Sequence, residues 1–104
     1  MNYKGVIIMA ENKNIEHKVA TGAIKKYMEK MGYFGWTSYW GTIYYLDNDS
    51  LNSESIKKHE LKHVEQMERE GKIKFTIKYL YYWWKVGYHN NPYEIEARKA
   101  EEQN

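Results

Sequence analysis

Residues 57–66 read Lys57-Lys58-His59-Glu60-Leu61-Lys62-His63-Val64-Glu65-Gln66. Within them lies His-Glu-x-x-His, His59 to His63. On a helix, side chains four apart share a face, so both imidazoles can point at one ion. Glu60 lies roughly 100° round the helix from His59, on the flank of that face. Two neutral nitrogen ligands with a carboxylate base beside them suit metal-assisted hydrolysis. The flanking sequence supplies the helix. Ser53 or Ser55 is placed to cap its start and Gly71 to close it.

Working back from this helix, Asp47-Asn48-Asp49-Ser50 reads as a turn. Residues 33–46, YFGWTSYWGTIYYL, are aromatic and β-branched and broken by Gly35 and Gly41, which predicts one or two strands, such as a hairpin. Apolar residues from Ile15 to Met31 recur at helical spacing, with Gly32 placed to end that helix. Residues 3–9 read as a short strand or an extended lead-in.

Working forward, Ile73 to Val86 reads as a helix whose inward stripe is Ile73, Ile77, Leu80, Tyr81 and Trp84. Residues 87–92 form a loop, and Pro92 opens a last, charged helix at the position where proline is tolerated. The order is N-terminal helix, small antiparallel sheet or hairpin, motif helix, aromatic helix, short C-terminal helix. This is an α+β domain.

At 104 residues the chain is expected to be one domain, residues 1–104. It has no cysteine, so thiolate zinc sites and disulfide frameworks are excluded. A net charge of +2, from 16 basic and 14 acidic residues, gives no basis for nucleic-acid binding. The apolar run Val6 to Ala10 is too short for a signal peptide or a membrane span. The expected location is the cytoplasm or a virus particle. The 11 Tyr and 4 Trp exceed what a small core needs, so a protein partner on an aromatic surface is expected.

A histidine six residues after His63 would complete the metzincin pattern, but that position is Arg69, and Gln66 stands where its glycine belongs. A third ligand must therefore come from elsewhere in the chain. Gln66 itself reads as a solvated helix residue, as does His17 on the first helix.

HELKHVEQ followed by NPYEIEAR resembles the gluzincin group of zinc metallopeptidases, including small metallopeptidase-like proteins of bacterial and phage genomes. The resemblance covers about residues 40–101. It implies a zincin-like fold and a Zn²⁺ ion. Aligned on Ala97, it puts Glu94 at the third-ligand position beside His59 and His63, with Glu96, Glu101 and His89 as rivals. It implies hydrolysis of a peptide or protein substrate by a metal-activated water, with Glu60 as general base. Tyr88, His89 and Tyr93 are candidate donors to the oxyanion. The family often has an aspartate four residues after the ligand glutamate, to orient a histidine. Arg98 stands there, and Glu101 is the residue able to substitute. In the family a strand ahead of the motif helix lines the cleft. Trp40 to Tyr45 resembles it, with an edge able to bind an extended peptide. The alternative is a non-catalytic structural or interaction protein, such as a phage particle component, on the same scaffold.

Overall fold

The computed structural model describes residues 15–103. The expected element at residues 3–9 lies outside them. The chain runs β1 (His17–Val19), α1 (Gly22–Met31), β2 (Gly35–Thr37), β3 (Ile43–Tyr45), α2 (Asn48–Leu51), α3 (Glu54–Glu70), α4 (Lys72–Val86) and α5 (Pro92–Glu101). Among the described residues the result is an α+β arrangement of five helices and a three-stranded mixed sheet.

The sheet order is β1-β3-β2. β2 and β3 form the expected antiparallel hairpin, with Trp36 opposite Tyr44. β1 pairs in parallel with β3, Lys18 opposite Tyr44, so the sheet is mixed and not antiparallel. The expected helix from Ile15 thus opens as a strand, His17–Val19, before the helix begins. Ile15, His17 and Val19 turn partly inward while Glu16 and Lys18 are exposed, a period of two hidden inside the helical spacing. Pairing with β3 decides between the two readings: Ile43 N–H donates to the Glu16 carbonyl and Ala20 N–H to that of Tyr45. The helix proper starts at Gly22. It ends where expected, at Gly32, whose φ of +76° is the left-handed conformation that glycine adopts without strain.

The strand proposed to offer a free edge, Trp40 to Tyr45, is instead the central one. The edge strands among the described residues are β1 and β2, and the one beside the motif helix is β2. The flanking backbone bonds fall at Phe34 and Ser38, in step with the Trp36–Tyr44 pair, so by the antiparallel alternation the Gly35 and Thr37 backbone groups of β2 point away from β3. Residues 48–51 form a short helix where a turn was expected, capped by Asp47, whose side chain accepts from Ser50 N–H.

α3 is the axis of the molecule. The Ser53 side chain accepts from Ile56 N–H at 3.2 Å, satisfying one of the first-turn donors. On the sheet side, Val64 packs with Ile43 and Tyr45. On the other side, Met67 packs with Phe75 of α4 and Tyr93 of α5. α4 presents the opposite face from the one its spacing suggested. Ile73, Ile77, Leu80, Tyr81 and Trp84 face solvent, while Phe75, Tyr79 and Tyr82 pack inward. Both arcs of this helix are apolar, and the single residue between α3 and α4, Gly71, leaves little freedom over which one turns in.

Candidate metal centre

α3 and α5 meet along the face that carries the histidines. His59 Nε2 lies 2.8 Å from Glu94 Oε1, and His63 Nε2 lies 3.1 Å from Glu94 Oε2. Glu94 sits in the first turn of α5. Pro92 and the Asn91 cap fix that turn, with Asn91 Oδ1 accepting from Tyr93 N–H at 3.0 Å. All three residues are buried, and their ligand atoms lie within 4.8 Å of one another. The structure brings together His59, His63 and Glu94, and these could hold a metal ion.

The far nitrogens of both rings are anchored. His59 Nδ1 is 2.5 Å from Glu101 Oε2, and Ser55 Oγ donates to the other oxygen of that carboxylate. His63 Nδ1 is 2.9 Å from Gln66 Oε1. Gln66 is fully buried, not solvated. Its amide donates to the Tyr93 carbonyl at 3.1 Å and to Glu96 at 2.8 Å. Glu96 is held in turn by Arg69, on the side of α5 away from the histidines. With Nδ1 occupied, each imidazole presents Nε2 to the common point, as metal-binding histidines do.

Two further groups were not singled out in the sequence. Tyr79 of α4 donates its hydroxyl to Glu94 Oε2 at 2.5 Å. Thr37 of β2 donates its hydroxyl to Glu60 Oε1 at 2.8 Å. Nothing local marks either residue, because each reaches the site only through tertiary packing. Gln66 did carry a signal: it lies three residues after His63, one turn along the same face.

Other expected residues are placed less favourably. Tyr93 is buried but its hydroxyl donates to Glu70 at 2.7 Å, so it is not aimed at the site. His89 is exposed, and its carbonyl accepts from Arg98. Tyr88 is the one of the three candidate donors that lines the cleft. His17 lies on β1, half-buried, with Nδ1 2.8 Å from the Tyr45 hydroxyl.

The cleft has two lobes, about 520 and 280 Å³, which share Tyr33, Gly35, Glu60 and Tyr88. One lobe reaches His59 and Glu101; the other reaches His63 and Glu94 beneath Trp36, Phe75 and Tyr79. Glu60 therefore stands at their junction.

Charges in this low-dielectric site are strongly coupled. Burial lowers the His63 pKa, but its bond to Glu94 and the charges of Glu94 and Glu60 outweigh burial and raise it to about 9. His59 is raised as well, since its Glu94 bond and the Glu60 charge overcome burial. Glu94 is held well below the usual carboxylate range: its bonds to both histidines overcome burial. Burial pushes Glu60 up, against the pull of the two histidines and Thr37. Burial, reinforced by the Glu94 and Glu60 charges, raises the Tyr88 hydroxyl, which stays a proton donor at neutral pH.

Comparison with protein-family models, with curated proteins and with solved structures gives no match to this chain.

Proposed function

We propose that the protein is a small zinc-dependent peptidase of gluzincin type. The observation that carries this is the meeting of His59, His63 and Glu94 at one buried point, with Glu60 beside them at the junction of a two-lobed cleft. The donor set suits zinc: two imidazoles and one carboxylate, without thiolate, on the wall of an open cleft. When bound, zinc would lower the pKa of a water toward neutrality and polarise the substrate carbonyl.

The chain's own residues do the rest. Glu101 and Gln66 hold the rings of His59 and His63 in one tautomer, and Tyr79 steadies Glu94. Glu60 takes the proton of the attacking water and passes it to the departing amine. Its burial-raised pKa brings it closer to the working pH of such a base. Thr37 aims its carboxylate. Tyr88 donates to the carbonyl oxygen as negative charge develops there. An extended peptide would lie along β2, where the Gly35 and Thr37 backbone groups are free among the described residues. The proposed setting is the cytoplasm or a virus particle; among the described residues no helix is long and apolar enough to cross a membrane.

The test is zinc content together with cleavage of a peptide library. Wild-type protein should carry about one zinc per chain. Glu60→Gln should keep the zinc and lose cleavage by roughly a thousandfold. A zinc-loaded protein that cleaves nothing would transfer the fold to the non-catalytic, scaffold reading.

A further inference from the structure

The outer face of α4 is apolar and lacks a partner among the described residues. Ile73, Ile77, Leu80 and Trp84 are 68, 63, 57 and 77 % exposed. They follow one another at steps of four, three and four, so they form one straight ridge. Tyr81 and Trp83 widen it to roughly 160° of the helix circumference. The same helix carries Lys72, Lys74, Lys78 and Lys85 and no acidic residue. At about 100° per residue, Lys74, Lys78 and Lys85 run along one border of the ridge and Lys72 along the other. Lys78 lies 3.5 Å from Glu70 of α3.

We propose that this face docks the protein on an anionic lipid surface. A convex ridge of Ile, Leu and Trp with lysines at its borders matches the boundary of a bilayer. The apolar side chains enter the acyl region, the indoles sit at headgroup level and the ammonium groups meet lipid phosphates. Charge argues against a second copy of the chain as occupant. Two such ridges would bring lysines toward lysines, with no acid in either helix to offset them. Leu80 borders one lobe of the cleft and Trp83 the other, so docking would set the cleft mouth at the lipid surface. The surface is independent of catalysis and stands whether or not Glu60 acts as a base.

The experiment is co-sedimentation and tryptophan emission of the full chain with two vesicle preparations. One is phosphatidylcholine alone; the other contains about one-third phosphatidylglycerol. Binding with a blue shift is expected on the anionic vesicles and should weaken as salt is raised. Ile77→Ser/Trp84→Ser should weaken it roughly tenfold or more, and Lys74→Glu/Lys85→Glu comparably. All four positions are exposed, so circular dichroism should remain that of the wild type. The proposal is overturned by absence of binding at low salt, by equal binding to neutral vesicles, or by indifference to both variant pairs. A dimer that Ile77→Ser dissolves, without vesicle binding, would also overturn it and assign the ridge to a second copy. Capture of an acidic protein with no vesicle binding would assign it to a protein partner instead.

Discussion

Gly35 shows how closely the base is fitted. A Cβ at this position would lie 2.8 Å from Ile56 Cγ2 and 3.0 Å from both Cγ and Oε2 of Glu60. The backbone there is ordinary for any residue; the space is what requires glycine. Only with that atom missing can β2 approach α3 closely enough for Thr37 to reach Glu60. Gly35→Ala should destabilise the protein by about 1–3 kcal/mol through overpacking. It should also cost more in peptide cleavage than in zinc affinity, since Glu60 moves and the histidines need not. Chemical denaturation, zinc titration and kinetics on one preparation check this; unchanged stability and cleavage would contradict it. The His-Glu-x-x-His spacing was legible at this scale because it is local. Thr37 and Tyr79 were not, because a hydroxyl is recruited by whatever folds beside it; Gln66, three residues after His63 on the same helix, carried a local signal, although it reads as a solvated helix residue.

At the scale of elements, α4 separates pattern from packing. Its spacing supported two apolar faces, and the one with the cleaner aliphatic repeat is outside. Phe75→Ala, on the buried face, should cost about 3–5 kcal/mol. Ile77→Ser, on the ridge, should change stability by no more than about 0.5 kcal/mol. Urea unfolding distinguishes them, and a larger loss at Ile77 would reverse the orientation described. The first helix carries a related lesson. Ile15 to Val19 satisfied both periods, and the decision for strand came from β3, more than twenty residues away. By contrast α3 and α5 were readable with their ends, since Ser53, Gly71 and Pro92 act within one turn.

At the scale of the whole molecule, the metal-free site is an ion-pair cluster, and its protons link folding to pH. His63, and His59 with it, titrate higher in the folded chain than in the unfolded one. Their stabilisation is therefore complete below about pH 6.5 and is lost as pH rises through the folded value, about 9 for His63. Glu60 acts in the same direction, because ionising it while buried costs stability. Glu94 acts at the acid end: its contribution is present above the ordinary carboxylate range and is lost as pH falls through its lowered value. Metal-free protein should thus melt at progressively lower temperature from pH 6.5 to 9 in differential scanning calorimetry. Zinc should stabilise it more at pH 8 than at pH 6, because the metal competes with those protons. A metal-free melting temperature that rises over this range would contradict the assignment. The most direct test of the account is zinc stoichiometry by isothermal titration of metal-free protein, at pH 8, for wild type and Glu94→Ala. One tight site per wild-type chain is expected, with binding weakened by roughly two orders of magnitude or more when the third ligand is removed. A wild-type chain that retains no zinc, or a Glu94→Ala chain that binds it equally well, would contradict it.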